Sequence, residues 1–236
     1  MEWTRYESVL FDLDGVLTPT AQVHMQAWSQ MFNDALEDYP GQEPYTDEDY
    51  FAYVDGKPRY DGVRAFLTAR GINLPEGTAD DAPSEQTVCG LGNRKNDAVR
   101  EILARDGVTP YPGSVALLDT LAGLEMPLAV VSSSRNAPVV LEAAGLAERF
   151  PVVVDGSVAE EGGLPGKPAP DTFVHAAERL GVDPARSVVV EDAVSGVQAG
   201  AAGPFAVVIG VDRGAGEHTL LDAGADVVVS DLGELA

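Results

Sequence analysis

Short apolar runs alternate with amphipathic segments along the carboxyl-terminal part of the chain. The runs are apolar on both sides, which is typical of strands buried in a parallel sheet, and the segments between them have helical spacing. With one further run near the amino terminus, the pattern predicts six strands, over residues 7–12, 128–132, 152–155, 187–191, 205–209 and 227–229. Helices are expected over residues 114–121, 138–144, 171–180 and 194–201. The fold class is therefore α/β, a Rossmann-like parallel sheet core with helices on both faces.

Residues 20–106 have a different pattern, in which apolar residues recur at helical spacing and no buried strand is evident. Three helices are expected here, over residues 21–36, 61–69 and 96–106. A polar, acidic and aromatic stretch with proline and glycine breakers covers residues 37–53, and a loop rich in proline, glycine and aspartate covers residues 73–84. These features predict a small α-helical cap domain, residues 20–106, inserted into a core domain of residues 1–19 and 107–236.

Acidic residues outnumber basic ones by 38 to 15, which gives the chain a formal net charge of −23. This excess argues against a nucleic acid or a membrane as partner, since nucleic acids and anionic membranes bind basic surfaces. No apolar run has the length of a membrane span and the amino terminus lacks a signal-peptide pattern, so a cytoplasmic location is expected. The single cysteine, Cys89, excludes an internal disulfide framework and fits a reducing compartment. A monomer is expected.

Two carboxylates, Asp12 and Asp14, stand at the end of the first predicted strand, directly before Gly15. Acids in such a place lose hydration and raise each other's pKa, so a fold keeps the pair where a hard cation neutralises it, usually Mg²⁺. An EF-hand calcium loop fits poorly, because its glycine stands at the sixth position whereas Gly15 directly follows the second acid. On these residues alone, a strand followed by an Asp-Gly turn is the alternative interpretation.

Polar residues also follow the other strands, and the carboxyl ends of the strands in open α/β sheets form the edge where ligands bind. The residues after the second strand are Ser132, Ser133, Ser134, Arg135 and Asn136. Lys167 stands in a Gly-Lys-Pro-Ala-Pro loop between the third and fourth strands, and the fourth strand ends in Glu191 and Asp192. Each has a structural alternative: Ser132 would cap the next helix, Lys167 would be a solvated loop lysine, and the acidic pair would cap the helix that follows.

In this order, the residues resemble the haloacid dehalogenase-like (HAD) superfamily of phosphotransferases over essentially the whole chain. The matching motifs are Asp-x-Asp-Gly at residues 12–15, the strand-end Ser132, the Lys-Pro-x-Pro lysine Lys167 and the acidic pair Glu191 and Asp192. The resemblance implies that Asp12 is a nucleophile that becomes an aspartyl phosphate and that Asp14 is the general acid and base.

The same resemblance implies a Mg²⁺ ion held by Asp12, by the main-chain carbonyl of Asp14 and by Asp192, with Glu191 as a direct or an indirect ligand. Ser132 would donate a hydrogen bond to a phosphoryl oxygen. Lys167 would balance the charges of Asp12 and of the transferred group.

Within the family, the chain is similar to the β-phosphoglucomutases, which interconvert β-glucose 1-phosphate and glucose 6-phosphate and must hold phosphates at two ends of a sugar. The similar segments are residues 10–20 with His24 and Trp28, residues 132–136, residues 94–97 and Arg59. The implied substrate- and phosphate-binding residues are Thr20, His24, Arg59, Lys95, Ser133, Ser134, Arg135 and Asn136. The resemblance further implies glucose 1,6-bisphosphate as activator, and closure of the cap to keep water from the aspartyl phosphate.

Other interpretations stay open. A phosphatase of sugar phosphates or similar small phosphomonoesters would share every core residue. Asp14 disfavours a dehalogenase, which replaces the second acid, whereas Lys57 in the cap leaves open a phosphonatase, which forms an imine with a cap lysine. A catalytically silent binding or regulatory protein on the same fold is a further hypothesis. As an alternative to phosphate binding, Arg59 and Arg94 would pair with nearby surface acids. Pro19 stands in the hinge where relatives have aspartate, and is expected to stiffen it.

Overall fold

A single parallel sheet is the central element of the structure, a computed structural model that describes all 236 residues. Its strands are β1 (Ser8–Phe11), β2 (Leu128–Val131), β3 (Val152–Val154), β4 (Ser187–Glu191), β5 (Val207–Val211) and β6 (Val227–Val229). The six strands lie in the order β3-β2-β1-β4-β5-β6, and every neighbouring pair is parallel. The predicted α/β fold with a parallel sheet is confirmed.

Strand β1 lies in the middle of the sheet, between β2 and β4. Leu10 is opposite Ala129 on one side and opposite Val189 on the other. All residues of these three strands are buried, which explains why their sequences are apolar without alternation. Because the strands run in the same direction, the residues that follow them reach the same edge of the sheet.

Ten α-helices complete the fold, together with short helical turns. The α-helices are α1 (Thr20–Leu36), α2 (Asp47–Asp49), α3 (Arg59–Ala69), α4 (Val88–Asp106), α5 (Pro112–Gly123), α6 (Ala137–Ala143), α7 (Gly156–Glu161), α8 (Asp171–Leu180), α9 (Val194–Ala202) and α10 (Glu217–Ala223). A π-helical turn follows α2 at Tyr50–Val54, and 3₁₀ turns lie at Trp3–Arg5, Ala147–Arg149, Pro184–Arg186 and Leu232–Leu235. None of the helices combines the length and the hydrophobicity that a membrane span requires.

The chain divides into two compact units, of which the first comprises Met1–Thr20 and Val108–Ala236. This unit contains the sheet and the helices α5 to α10. The second unit is Ala21–Gly107, and it holds almost all of α1 together with α2, α3 and α4. An aromatic cluster forms its core, in which the ring of Phe32 lies 4.1 Å from that of Phe66.

In the helical unit, the structure corrects two predictions. Helix α4 begins at Val88 rather than at residue 96, because Thr87 is its N-cap and accepts a hydrogen bond from the N–H of Gly90. Two glycines at the start of the helix, Gly90 and Gly92, conceal it in the sequence. The stretch over residues 37–53, predicted without helix, contains α2 and most of the π-helical turn.

In the sheet unit, helices α7 and α10 were not predicted, and β5 begins two residues later than expected. The prediction counted Asp155 as strand, whereas its side chain caps α7 by accepting from the N–H groups of Ser157 and Val158. Phe205 lies before β5 and places its ring 6.0 Å from that of Phe173, edge to face, so it belongs to the core but not to the strand.

Candidate active site

Polar residues from three strands meet at one edge of the sheet. Asp12 directly follows β1, Ser132 directly follows β2, and Glu191 is the last residue of β4. The N–H of Asp12 donates to the carbonyl of Val190 at 2.9 Å, and the N–H of Ser132 donates to the carbonyl of Val154 at 3.0 Å. The sheet's own hydrogen bonds therefore hold the backbone at these positions.

Lys167 lies among these carboxylates, with a side chain only 2% exposed. Its Nζ donates to Oδ1 of Asp12 at 2.5 Å and to the carbonyl of Val131 at 3.0 Å, and it lies 2.6 Å from Oε1 of Glu191. A buried ammonium group is stable only where such partners replace its hydration. The alternative of a solvated loop lysine is therefore wrong.

The charges in this cluster shift the pKa values of its members. Burial raises the pKa of Asp12 well above its usual 3.8, and the charges of Glu191 and Asp14 act in the same direction while Lys167 opposes them. Burial alone would lower the pKa of Lys167, but the carboxylates of Asp12 and Glu191 outweigh it and raise that pKa. One protonated lysine thus faces several acids, and the cluster can accept a further cation.

Three of the carboxylates are close enough to share a metal ion. One oxygen each from Asp12, Glu191 and Asp192 lie within 4.8 Å of one another. Glycines make room for two of these groups: a Cβ at Gly15, where φ is +83°, would lie 1.8 Å from Oδ2 of Asp192, and a Cβ at Gly196 would lie 1.8 Å from Oε1 of Glu191. An all-oxygen set of this kind suits a hard divalent cation, so the cluster could bind a metal.

Glu191 connects the sheet to the next helix. Its Oε2 accepts hydrogen bonds from the N–H groups of Asp192 and Ala193, both at 3.0 Å, while its Oε1 faces Lys167. Helix α9 has Ala193 at its N-cap position, so Asp192 is not the cap of that helix. Both oxygens of Glu191 have protein partners, and its main structural effect is to fix the backbone that carries Asp192.

Asp14 is half-buried and accepts hydrogen bonds from two hydroxyl groups. Thr20 Oγ1 donates to Oδ1 at 2.5 Å, and Ser132 Oγ donates to Oδ2 at 3.4 Å. The hydroxyl groups of Thr18 and Thr20 also bond each other at 2.7 Å. Pro19 stands between these two threonines, and their hydroxyl contact places the carboxylate of Asp14 beside the start of α1.

The segment after β2 forms a tight turn rather than a simple helix cap. Ser132 Oγ accepts from the N–H of Ser134, and Ser134 Oγ accepts from the N–H of Asn136, both at 3.1 Å. The N-cap of α6 is Asn136, so the alternative that Ser132 caps this helix is wrong. Arg135 forms an ion pair with Glu160 of α7. Ser133 belongs to the same turn, next to Asp14's partner Ser132.

In the helical unit, Lys95 and His24 form a buried pair. Nζ of Lys95 lies 2.5 Å from Nδ1 of His24 and 4.8 Å from the centroid of the Trp28 ring. Because an ammonium group only donates, Nδ1 of His24 is the acceptor. Lys95 is 6% exposed, and its contacts include this ring nitrogen and the aromatic face of Trp28.

Arg59 begins helix α3 and has a phenol as its partner. Its Nη2 donates to the hydroxyl of Tyr60 at 3.0 Å, and that hydroxyl donates to Oδ1 of Asn93 at 2.9 Å. Nε of Arg59 is buried and has no hydrogen-bond partner. Two further basic residues bond main-chain carbonyls, since Arg94 donates to Pro83 and Lys57 donates to Tyr53. At Nε and Nη2 of Arg59, no carboxylate compensates the positive charge of the guanidinium group.

Arg213 is a residue of this edge that the sequence analysis missed. It lies two residues after β5, and its Nε donates to the carbonyl of Gly15 at 2.8 Å. It lies outside the motifs named in the sequence. The available signal was its position, because it follows a parallel strand on the same side as the other site residues.

The chain is similar to several known proteins. The model of the family described as haloacid dehalogenase-like hydrolase matches residues 6–203, and Arg213 lies beyond that range. A protein of Mycobacterium tuberculosis named "Beta-phosphoglucomutase" is 47% identical over 242 residues, which cover 98% of this chain and 92% of the relative. "Fructose-1-phosphate phosphatase" of Escherichia coli is 31% identical over 87% of this chain and 97% of the relative.

Solved structures have the same fold. The crystal structure of a β-phosphoglucomutase from Clostridium difficile superposes with a TM-score of 0.79 over 98% of this chain and 93% of that chain. Its sequence identity is 23%, so this likeness concerns the fold alone.

Proposed function

This chain belongs to the haloacid dehalogenase-like hydrolase family, and from that premise we propose that it is a phosphotransferase that converts β-D-glucose 1-phosphate into glucose 6-phosphate. The observation that carries the proposal is the buried contact between Lys167 and Asp12, at 2.5 Å, beside Asp14 and the acidic cluster. A carboxylate held in this way is a candidate nucleophile for phosphorus, and the relative named "Beta-phosphoglucomutase" supports the choice of substrate.

Two carboxylates divide the chemistry. In the first half, an oxygen of Asp12 attacks the phosphorus at position 1 of glucose 1,6-bisphosphate, the bond from that phosphorus to O1 breaks, and Asp14 gives O1 a proton, so that glucose 6-phosphate leaves. In the second half, Asp14 removes a proton from the 6-hydroxyl group of β-glucose 1-phosphate, which attacks the phosphorus of the aspartyl phosphate, frees Asp12 and forms glucose 1,6-bisphosphate again. Thr20 donates a hydrogen bond to Oδ1 of Asp14 and Ser132 donates one to Oδ2, so together they fix the orientation of the carboxylate. Lys167 supplies positive charge to Asp12 and the transferred group.

Asp12 and Asp192 would hold a Mg²⁺ ion, with Glu191 directly or indirectly beside them. When bound, the ion would lower the charge repulsion between nucleophile and phosphate. The residues fit such an ion because Gly15 and Gly196 leave space for the carboxylates of Asp192 and Glu191, which a methyl group at either position would displace.

A phosphoglucomutase of this kind needs groups that bind the phosphate that is not being transferred. We assign this role to Arg59 and Lys95, together with His24, and to Ser134, Arg135 and Asn136 for whichever phosphate is distal. Ser133, in the same turn, is assigned to substrate binding. Arg59 suits the role because its Nε is buried without a partner and its guanidinium group can bind two phosphate oxygens. Arg135 would have to share or leave its ion pair with Glu160. Glucose 1,6-bisphosphate is the expected activator.

A phosphatase of small sugar phosphates is the second candidate, and the relative named "Fructose-1-phosphate phosphatase" favours it. It would use the same residues, with water in place of the second hydroxyl group. The two candidates therefore differ in product rather than in site.

The deciding experiment follows both products of β-glucose 1-phosphate in the presence of Mg²⁺ and a trace of glucose 1,6-bisphosphate. A mutase produces glucose 6-phosphate with little free phosphate, measured by a coupled dehydrogenase assay and a phosphate assay on the same sample. Release of phosphate without glucose 6-phosphate would overturn the mutase proposal and favour the phosphatase. α-Glucose 1-phosphate serves as the control for the anomer.

Arg59→Ala is expected to lower kcat/KM for β-glucose 1-phosphate far more than kcat/KM for p-nitrophenyl phosphate, which has no sugar and no second phosphate site to fill. Loss of a bidentate phosphate contact is worth roughly 2–3 kcal/mol, or about 30- to 160-fold in kcat/KM. Hydrolysis of p-nitrophenyl phosphate should change less than about threefold. Arg94→Ala is the matched control, since Arg94 donates to the carbonyl of Pro83. Equal losses with both substrates would contradict the role of Arg59.

A further inference from the structure

Arg213 is held by groups on several sides. Its Nε donates to the carbonyl of Gly15 at 2.8 Å, and its Nη1 donates to the carbonyl of Ser230 at 3.1 Å. Its guanidinium carbon lies 3.9 Å from the centroid of the Tyr111 ring, and its Nη2 lies 3.6 Å from Oδ2 of Asp231. These contacts hold the planar guanidinium group of Arg213, whose side chain is 20% exposed.

The loop after β1 is fixed through three consecutive carbonyl groups. Each accepts a hydrogen bond from a residue distant in sequence: Gly15 from Arg213 at 2.8 Å, Val16 from the hydroxyl of Ser114 at 2.7 Å, and Leu17 from the N–H of Tyr111 at 3.0 Å. Two of these donors lie at the beginning of α5, whereas Arg213 approaches from the end of β5. Arg213 therefore supplies the hydrogen bond that holds the loop from the β5 side.

Gly15, the residue that Arg213 holds, is also in very close contact with an acid of the cluster. A Cβ at this position would lie 1.8 Å from Oδ2 of Asp192, so the Asp192 carboxylate is seated directly against the Gly15 backbone. A small movement of that backbone would change the distance between the Asp14 peptide and Asp192. Both groups belong to the proposed metal site.

We propose that Arg213 is a positioning residue for the metal site: by holding the Gly15 carbonyl, it sets the spacing between the Asp14–Gly15 backbone and Asp192. The inference rests on the proposed phosphotransferase function and adds to it a residue outside the motifs. The hydrogen bond from Arg213 to the Gly15 carbonyl is the contact that links it to the metal site, so we place its effect at Gly15.

A general electrostatic effect of Arg213 and a positioning role predict opposite changes in cation affinity when a neutral residue replaces Arg213. Removing a positive charge near an acidic cluster strengthens cation binding, because the remaining negative potential is larger. Removing a group that orients the ligands weakens cation binding, typically by 10- to 100-fold for such outer partners. The sign of the change in metal affinity therefore separates a positioning role from a general electrostatic effect.

The test measures Mn²⁺ binding to the substrate-free protein by electron paramagnetic resonance of the free ion, a readout that does not depend on activity. For Arg213→Gln, we expect the dissociation constant for Mn²⁺ to rise about tenfold. Arg213→Lys keeps the charge but loses the planar fork, and we expect an intermediate value. Arg186→Gln is the matched control, because Arg186 precedes β4 at the opposite edge of the sheet and pairs with Glu7 at 3.0 Å.

If the wild type binds Mn²⁺ and Arg213→Gln binds it equally well or more tightly, the inference is overturned. Absence of Mn²⁺ binding by the wild type would instead overturn the proposed metal-dependent function, and the inference with it. If Arg213→Gln fails to fold, as judged by its thermal transition, the comparison of Arg213→Lys with Arg186→Gln decides: equal affinities for Mn²⁺ would count against the positioning role.

Discussion

Asp12→Asn should lose at least about 10⁴-fold in kcat with β-glucose 1-phosphate and with p-nitrophenyl phosphate alike, because the amide cannot attack phosphorus. Both reactions begin with the same attack, so neither leaving group can rescue the variant. Incubation with a labelled phosphate donor followed by mass spectrometry of the intact protein should show no phosphorylated species, whereas the wild type should show a gain of one phosphoryl group.

The substitution should leave the fold intact. Asn has nearly the shape of Asp, and Lys167 keeps its contacts with Glu191 and the carbonyl of Val131. Since burial and the neighbouring acids raise the pKa of Asp12, ionised Asp12 is less stable in the folded metal-free protein than in the unfolded chain. The carboxylate of Asp12 also raises the pKa of Lys167, so its removal takes away a partner of that ammonium group. The two effects oppose each other, and at neutral pH the metal-free variant should unfold within about 5 °C of the wild type.

Asp119→Asn is the control for Asp12→Asn, since Asp119 is a surface acid that pairs with Arg149 at 2.6 Å. It should keep full activity. Retained phosphorylation of Asp12→Asn, or a loss confined to one of the two substrates, would show that another residue attacks phosphorus. A large fall in unfolding temperature would instead mean that the ion pair between Asp12 and Lys167 is mainly structural.

The sequence predicts the sheet well because its central strands, β1, β2 and β4, are buried on both faces. Residues 187–191 and 171–180 coincide with β4 and α8, and α8 has a clear end signal, since Gly181 takes the left-handed conformation with φ +75°. Helix α7 escaped prediction for a local reason: its N-cap, Asp155, directly follows the apolar residues of β3 and so appeared to continue the strand. A periodicity argument cannot separate the two over so few residues.

The candidate site was predictable as far as its residues follow strands. Asp12, Ser132 and Glu191 stand at strand ends, and a parallel sheet brings such positions together without further information. The partners of Lys167 and the close approach of Gly15 to Asp192 depend on loop geometry, which the sequence does not encode in a short pattern. Arg213 also follows a strand, so its position was a signal, but its role depends on the carbonyl that it reaches and could not be predicted.

Asp14→Asn should separate the two half-reactions. Asp14 is the proposed proton donor to the leaving oxygen, and general acid or base catalysis is worth about 10²- to 10⁴-fold. With β-glucose 1-phosphate, whose conversion requires a sugar alkoxide to be protonated as it leaves, kcat/KM should fall about 10³-fold. p-Nitrophenolate leaves without a proton, so the first turnover of p-nitrophenyl phosphate should remain within about tenfold of the wild-type rate.

The second half-reaction of Asp14→Asn should then become limiting, because no base remains to activate the acceptor. Stopped-flow measurements should show a burst of about one p-nitrophenolate per active site, followed by slow turnover. Thr20 and Ser132 donate to the two Asp14 oxygens, and an asparagine at this position can keep only the bond to its carbonyl oxygen. A rotation of the side chain alone would slow both substrates equally, so equal losses without a burst would assign Asp14 a structural role and leave the proton transfer to another group.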